Sequence, residues 1–442
     1  KKPKKLLSSR AAKEPTLIPY TAPTQDQLLA IKINAGMGEL AQNERFAAAE
    51  DDMVEAIVEG VGAFAAGEFA PLNRVGDLEG AVLENGVVRL PEGFDTAYNE
   101  YVEQGWNAIS SPEEFGGQGL PFTLSCNVIE NLGAANMAFT LLPMLSVGAI
   151  EAIEHHGSDT QKAAYMPKLV SGEEMMCFGV SEPDNGVDTS RLKTFAKKDG
   201  KRYLVNGRKV WISNSKNADR ILLLARTSPR NPERPYDGMT LFLSRLKDKK
   251  GVEINRIDKI MRNAVDSNEI VFEDFEVFED EIVGEEGKGF RCLIDGLNPE
   301  RIAVAQTCIG LGRGALSLAT QYAKDRIVFD RPIGQNQAGA HPLAESWMRL
   351  EAADLITQKA ARLFDEGKPC GPEANAAKFL ASDAGFQAAD NAMQFHGGYS
   401  MSREYHVSRF WMEARHLKIA PISQQMVLNF ISDKVLGLPR SY

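Results

Sequence analysis

Two segments in the middle of the chain carry residues suited to holding a flat ring. Phe178-Gly-Val-Ser-Glu-Pro-Asp-Asn-Gly-Val-Asp188 predicts a strand that ends in a turn, and Asn206-Gly-Arg-Lys-Val-Trp-Ile-Ser-Asn214 predicts a hairpin strand with a Trp beside a Ser. An aromatic plate with neighbouring hydroxyls suits a planar heteroaromatic ligand with hydrogen-bonding edges. A core Trp in an ordinary β domain fits the same segments equally well, so the segments alone leave both interpretations open.

Other familiar chemistries find little support. The six histidines fit no zinc spacing, and no Gly-x-Ser-x-Gly elbow marks a serine hydrolase. The five cysteines are scattered and never in a CxxC spacing, which excludes a disulfide framework or zinc knuckle and indicates a reducing compartment. Gly310-Leu-Gly-Arg-Gly314 lies in a helical run and predicts close helix packing, while Gly284-Glu-Glu-Gly-Lys-Gly289 resembles a β to α connection.

Length and composition describe a large globular protein. The 442 residues predict about three domains, with 43% hydrophobic and 25% charged residues. Lys and Arg number 50 against 60 Asp and Glu, and this net charge of -10 argues against an extended nucleic-acid interface. The longest apolar stretch, Leu132 to Ile150, is interrupted by Asn136, Pro143 and Ser146 and predicts no transmembrane segment.

The elements that must position these residues follow a helix, sheet, helix order. Helical periodicity dominates residues 24–172, a period of two with turn signals dominates 173–283, and long helical runs fill 284–442. This order predicts an α+β protein with an N-terminal helical domain, a middle β-barrel-like or sandwich domain and a C-terminal four-helix bundle. Residues 1–23 form a basic segment, interpreted as a solvated tail or the remnant of a targeting segment.

Five motifs, in order along the chain from about residue 50, resemble the acyl-CoA dehydrogenase family of flavoproteins. They are Pro112-Glu-Glu-Phe-Gly-Gly-Gln-Gly119, Ser181-Glu-Pro-Asp184, Trp211-Ile-Ser213, Arg326-Ile-Val-Phe-Asp-Arg-Pro-Ile-Gly-Gln-Asn-Gln337 and Gln394-Phe-His-Gly-Gly398. The resemblance implies an FAD-dependent enzyme that removes the α-proton and β-hydride of an acyl-CoA thioester to give the trans-2-enoyl-CoA.

The resemblance also implies which residues hold FAD. Phe178, Val180 and Ser181 would line the isoalloxazine edge, with Trp211 and Ile212 near its face and Ser213 near N5. Arg326 would reach the FAD pyrophosphate of a neighbouring chain, as a guanidinium suits phosphate. The remaining implied contacts are Phe329 and Gln337 at the adenosine half, Gln394, Gly397 and Gly398 in the late motif, and Ser423 and Gln425 near the end.

The implied base is displaced from the position that many relatives use. Laid on this chain, the C-terminal stretch that carries their Glu places Pro421 at that position, and proline takes no proton. A second subgroup, including isovaleryl and some long-chain types, carries the base in a segment that Gly296-Leu-Asn-Pro-Glu-Arg301 resembles, with Glu300 as the base. Asn298 and Arg301 would lie near the substrate. A plain ion pair of Glu300 at a helix start is the structural alternative.

Three departures from the family pattern weaken the assigned cofactor contacts. Val187 replaces a common Ser, Asp330 replaces a Gly, and Ser400 replaces the last Gly of the late motif. Together with Pro421, they motivate a catalytically silent flavoprotein as one alternative, and an oxidase that uses O2 is another. The main prediction is a dehydrogenase that passes electrons to an electron-transfer flavoprotein, forms a homodimer or homotetramer, and resides in a bacterial cytoplasm or the mitochondrial matrix.

Overall fold

The structure, a computed structural model, describes residues 20–84 and 87–439. Residues 1–19 of the predicted tail lie outside this part of the chain. Helices occupy the N-terminal region as far as Val170, strands follow from Met176 to Val283, and helices return from Gly289. The predicted α+β order of helices, sheet and helices is therefore confirmed.

The N-terminal region contains seven helices and one small hairpin. Its helices are α1 (Thr24–Leu29), α2 (Met37–Leu40), α3 (Asp51–Phe64), α4 (Ala70–Glu79), α5 (Phe94–Glu103), α6 (Phe122–His156) and α7 (Asp159–Val170). The sequence pattern missed the hairpin of β1 (Val82–Glu84) and β2 (Val87–Arg89), because strands of three residues leave almost no periodic signal.

Helix α6 is two helices joined at Asn136. The backbone of Asn136 is non-helical (φ -157°, ψ 84°), and its side chain accepts a hydrogen bond from the backbone N–H of Phe139 at 3.2 Å. Asn136 thus acts as an N-cap inside the element, starting a second helical segment in a new direction. Residues from both segments of α6 line the site described below.

Residues 20–50 pack on their own chain. Leu28 and Ile31 are buried in the N-terminal core, and the Tyr20 hydroxyl donates to Asn131 Oδ1 at 2.8 Å. Glu39 also forms an ion pair with Arg362 of the C-terminal region. The described part of this segment therefore joins two regions of the same chain.

The middle region is one continuous sheet. Its strands are β3 (Met176–Gly179), β4 (Phe195–Asp199), β5 (Arg202–Ser213), β6 (Arg220–Arg226), β7 (Met239–Arg245), β8 (Val252–Arg256), β9 (Ser267–Phe278) and β10 (Ile282–Val283). The strand order is β10-β7-β6-β4-β5-β9-β8, with β3 parallel to β6. The long antiparallel pair of β5 and β9 shifts register between Lys209 and Ile212, beside Trp211.

The described part of the C-terminal region is built mainly from helices, three of which are long. The helices are α8 (Gly289–Asp295), α9 (Leu297–Asp325), α10 (Gln337–Asp365), α11 (Gly371–His396), α12 (Val407–Leu417) and α13 (Gln424–Phe430), with a hairpin of β11 (Ile327–Val328) and β12 (Arg331–Pro332) after α9. A Cβ on Gly312 would lie 2.5 Å from Leu350 and 2.9 Å from Gly385. The predicted role of this glycine segment in close helix packing is confirmed.

Two helical stretches are long and apolar enough to cross a membrane by length and composition, Phe122–His156 and Gly289–Asp325. Their most apolar windows are 61% and 78% buried inside the protein. Core helices of proteins without a membrane span pass the same test of length and hydropathy. The two stretches are therefore weak evidence for a membrane span.

Candidate active site

A cavity lies between the two segments of α6 and the start of α9. It has an empty volume of about 320 Å³ and is lined by Ile129, Met144, Val147, Gly148, Glu151, Pro299, Glu300 and Ala303. Four of these residues repeat at the spacing of one helical face on the second segment of α6. The walls are apolar except for two carboxyl groups, those of Glu300 and Glu151.

Glu300 occupies the first turn of α9. Glu300 is half-buried, and the part that is accessible lines the cavity. Burial of the carboxyl group raises the pKa of Glu300 to about 7, although the positive charge of Arg301 acts in the opposite direction. A carboxyl with a pKa near neutrality is well matched to abstracting a proton at neutral pH. The structure places Glu300 in a cavity wall, and its role as the base stays a prediction.

Asn298 and Arg301 flank Glu300 and contact each other. Arg301 is buried and donates from Nη1 to Asn298 Oδ1 at 2.9 Å, while its Nε has no hydrogen-bond partner among the described residues. Burial lowers the pKa of Arg301. Neither residue belongs to the cavity lining, so their assignment to substrate binding stays a prediction.

Glu151 is a site residue that sequence reasoning missed. It is 8% exposed, and burial together with the charges of Glu154 and Asp365 raises its pKa to about 8. The signal was present: Met144, Val147, Gly148 and Glu151 share one helical face, and an acid there interrupts an otherwise apolar pattern.

Phe178 connects the cavity to the middle region. The strand β3 ends at this segment, and a Cβ added to Gly148 would lie 3.4 Å from the Phe178 ring. Phe178 therefore borders the cavity that contains Glu300. The next predicted residues, Val180 and Ser181, continue from the same strand end and are half-buried.

The two segments singled out in the sequence are joined by a backbone hydrogen bond. The Val210 N–H donates to the Ser181 carbonyl at 2.9 Å. Beneath them, buried Lys209 donates to the Val180 carbonyl at 3.0 Å and pairs with Glu182 at 3.1 Å. Burial lowers the pKa of Lys209 to about 8. This buried pair fixes the spacing of the two segments from below.

Trp211 is exposed. Its side chain is 61% exposed and its φ is +63°, an unfavourable conformation for an aromatic residue that the register shift of β5 accommodates. The interpretation as a core Trp is therefore wrong. Ile212 points the other way, into the sheet core, so only its backbone is available to a ligand.

The Ser181 and Ser213 hydroxyls leave room for a ligand. Both residues are half-buried, and neither hydroxyl makes a hydrogen bond to any described residue. The exposed Trp211 ring and two hydroxyls without a partner among the described residues fit the edge of a flat heteroaromatic group.

A second group of predicted residues lies at one end of the C-terminal helices. Arg326 lies over the Tyr399 ring at 5.9 Å, which brings the hairpin after α9 next to the late glycine motif. Phe329 at the hairpin tip is 91% exposed, and Gln337, Gln394, Gly397 and Gly398 are exposed as well. No hydrogen bond, ion pair or ring contact within residues 20–84 and 87–439 joins this group to Trp211 or Ser181.

Ser423 and Gln425 lie at the start of α13. Ser423 Oγ caps the helix by accepting from the Met426 N–H at 3.4 Å, and Gln425 is exposed. The neighbouring Ile422 carbonyl accepts a hydrogen bond from buried Lys378 at 2.6 Å. Pro421 therefore sits in a structured turn that offers no acid.

Comparison with known proteins agrees with this architecture. The family models for the N-terminal, middle and C-terminal domains of acyl-CoA dehydrogenase match residues 51–173, 177–275 and 287–436. Acyl-CoA dehydrogenase FadE12 of Mycobacterium tuberculosis is 35% identical over 356 residues, covering 80% of this chain and 91% of the relative.

Solved structures give the same result. The structure of butyryl-CoA dehydrogenase from Megasphaera elsdenii superposes with a TM-score of 0.80 at 27% identity, covering 87% of this chain and 98% of that one. A chain from a study of the electron transferring flavoprotein of Acidaminococcus fermentans gives a TM-score of 0.79 at 28% identity, covering 87% and 97%.

The fold and the domain matches define a three-domain flavoprotein-type oxidoreductase. The chain belongs to the acyl-CoA dehydrogenase family, whose members are FAD-dependent enzymes that act on acyl-CoA thioesters. The resemblance identified from the five sequence motifs is thus confirmed.

Proposed function

We propose that the protein dehydrogenates an acyl-CoA thioester to the trans-2-enoyl-CoA, with Glu300 taking the α-proton. The observation that carries the proposal is a carboxyl of pKa about 7 in an apolar cavity bordered by Phe178. The acyl group would enter this cavity, displace water and bring its α-carbon to the Glu300 carboxylate, while walls on α6 and α9 hold the chain.

FAD is the proposed cofactor. When bound, it would supply the acceptor for the β-hydride. Trp211 would cover its ring, while the hydroxyls of Ser181 and Ser213, free of partners among the described residues, would hydrogen-bond its edge. The strained backbone and the exposure of Trp211 support this assignment, because both features are costly without a ligand.

A homo-oligomer is proposed because no contact among the described residues joins the second residue group to Trp211 or Ser181. Arg326, Phe329, Gln394, Gly397 and Gly398 would contact the pyrophosphate and adenosine of FAD held by a neighbouring chain. Phe329, 91% exposed at a hairpin tip, is the strongest support, since a large ring in water favours a covering partner. A dimer or a dimer of dimers satisfies this arrangement.

An electron-transfer flavoprotein is the proposed electron acceptor. The structural neighbour from the Acidaminococcus fermentans study supports it, because that study concerns such a flavoprotein. A bacterial cytoplasm or the mitochondrial matrix is the proposed compartment, which agrees with five buried cysteines, none of which forms a disulfide within the described residues.

The proposal is tested by anaerobic mixing of the holoenzyme with a panel of acyl-CoAs, following loss of flavin absorbance. Glu300→Gln is expected to retain FAD and lose bleaching by a factor of about 10³ or more, as the amide cannot accept the proton. The matched control is Glu285→Gln, an exposed acid before α8 that lies outside the cavity lining.

The same experiment separates the alternatives. A wild-type enzyme that stays unbleached with every acyl-CoA would indicate a silent flavoprotein. Rapid O2 consumption with peroxide release on admitting air would indicate an oxidase. Unimpaired bleaching of the Glu300→Gln variant, or its loss in Glu151→Gln instead, would remove Glu300 from the role of base.

A further inference from the structure

The acyl cavity contains one acid more than the proposed reaction uses. Glu300 and Glu151 line the same space, on α9 and α6 respectively, among otherwise apolar side chains. A carboxyl is expensive to bury where apolar atoms surround it, so its retention calls for a chemical reason. The proton abstraction requires one base, which leaves Glu151 without a task in the mechanism.

The cation that acts on Glu151, Arg45, does so from beyond ion-pair distance. No Lys or Arg nitrogen of the described residues lies within 4.0 Å of its carboxylate. His155 Nδ1 is 3.8 Å from Oε2, but the same nitrogen lies 2.9 Å from the Glu151 backbone carbonyl and must donate its hydrogen there, since a carbonyl only accepts. The carboxyl is therefore free to act on whatever fills the cavity.

We infer that Glu151 is a specificity-determining residue that donates a hydrogen bond to an oxygen acceptor on the acyl group of the substrate. The substrate class is an acyl-CoA whose chain carries a carbonyl or similar oxygen beyond the β-carbon. This inference rests on the proposed function, because it places the acyl chain in the cavity.

The protonation state of Glu151 agrees with a donor. The pKa of Glu151 is raised to about 8 by burial first, then by the negative charges of Glu154 and Asp365, against the opposing charge of Arg45. At neutral pH the group is mainly the neutral acid, which has an O–H to donate.

The position of Glu151 on α6 determines which part of the substrate it meets. Gly148, which borders Phe178, precedes it by three residues on the same helical face, and Glu300 approaches from α9. In the proposed pose the α- and β-carbons lie between Glu300 and Phe178, so Glu151, about one turn of α6 from Gly148, would meet a more distant part of the acyl chain. An oxygen there would find a donor, and a plain methylene would leave that donor unpaired.

The test compares three acyl-CoAs of equal chain length: hexanoyl-CoA, 4-oxohexanoyl-CoA and 5-oxohexanoyl-CoA. The rate constant for anaerobic flavin bleaching divided by the dissociation constant is measured for the wild type, Glu151→Gln and Glu151→Met. Glu59→Met, an exposed acid on α3, is the matched control.

The wild type is expected to favour the better oxo substrate over hexanoyl-CoA by about tenfold near pH 7. Glu151→Gln, which keeps an N–H donor, retains the preference. Glu151→Met loses this preference. Compared with the wild type, its flavin is bleached as fast or faster by hexanoyl-CoA and more slowly by the oxo substrate. The Glu59→Met control matches the wild type.

The pH dependence of the substrate preference is a second measurement, and it does not require Glu151→Met to fold. Above about pH 8 the wild-type preference falls as Glu151 ionises and repels the oxygen, whereas the Glu151→Gln preference stays constant. The groups facing Glu151 in this titration are Glu154, His155, Asp365, Arg45 and Glu300.

Two results would overturn the inference, and they are distinguishable. In the first, hexanoyl-CoA bleaches the flavin, and the preference for the oxo substrate over hexanoyl-CoA is the same in the wild type and Glu151→Met, or does not change with pH in the wild type. This result overturns the role of Glu151 alone. A wild type that none of the three acyl-CoAs bleaches, although it holds FAD, overturns the proposed function and this inference together.

Discussion

The pH dependence of the proposed proton abstraction follows directly from the environment of Glu300. Only the carboxylate form takes a proton, and burial raises the pKa of Glu300 to about 7. With that pKa, the carboxylate fraction of the free enzyme rises from about 9% at pH 6 to about 91% at pH 8, which is about a tenfold increase. An unperturbed glutamate, with a pKa of about 4.3, would be almost fully ionised over this range and would give a flat profile.

The assay is stopped-flow bleaching of the flavin under anaerobic conditions at low acyl-CoA concentration, so that the rate reports the free enzyme. Glu151 also titrates in this cavity, with a pKa of about 8, and Glu151→Gln removes its contribution. We expect the wild type to lose activity as pH falls through about 7 and the Glu151→Gln variant to keep this acidic limb. A rate independent of pH between about 6 and 8 in both proteins would refute the reasoning about Glu300.

Three further predictions concern stability and assembly. Because the pKa of Glu151 is raised in the folded state, the wild type loses stability as pH rises from about 4.5 to 8. At high pH the free energy of unfolding of Glu151→Gln should therefore exceed that of the wild type by about 1 to 3 kcal/mol, measured by urea unfolding across pH. Phe329→Glu should convert the proposed oligomer to smaller species in size-exclusion chromatography with light scattering, and an unchanged mass would contradict the role of the exposed tip. Gly312→Val should lower the free energy of unfolding by about 1 to 3 kcal/mol or more, because a Cβ at this position would lie 2.5 Å from Leu350. The control Gly38→Ala, with open space around its Cβ, should unfold like the wild type, and equal stability of the two variants would disprove the packing argument.

The two acids that line the cavity have different charged neighbours. Glu300 meets the opposing positive charge of Arg301, while Glu151 is near the negative charges of Glu154 and Asp365. Burial is the largest cause of the raised pKa of both groups, and the neighbouring charges act on the two carboxyl groups in opposite directions. The same apolar walls serve both groups by excluding water.

The departures from the family pattern acquire physical meaning in the structure. Asp330, where relatives have Gly, adopts a φ of +61° at the tip of the hairpin after α9, a conformation that Asp tolerates better than most residues. Ser400 is buried and its Oγ donates to the Gly397 carbonyl at 2.7 Å, which holds the late motif together locally. Both substitutions therefore fit the turns in which they occur.

The order of the elements and the identity of the family could be predicted from the amino-acid sequence. Periodicities of 3.6 and 2 separate the helical regions from the sheet because they reflect which face of each element is buried, and short motifs such as Ser181-Glu-Pro-Asp184 and Trp211-Ile-Ser213 mark the segments beside the cavity. The spacing of Gly310, Gly312 and Gly314 within a helical run likewise indicated close helix packing.

The surroundings of each functional side chain depend on the folded chain and could not be predicted in this way. Sequence spacing could not bring Glu151 and Glu300 to one site, because the two residues are far apart in the chain and line the same cavity only in the folded structure. Nor could it set their pKa values, which depend on water exclusion and on charges brought close by folding, or reveal that Trp211 faces outward while Ile212 fills the core. Local sequence governs local conformation and the burial pattern, whereas the chemistry of this cavity arises from contacts among distant segments.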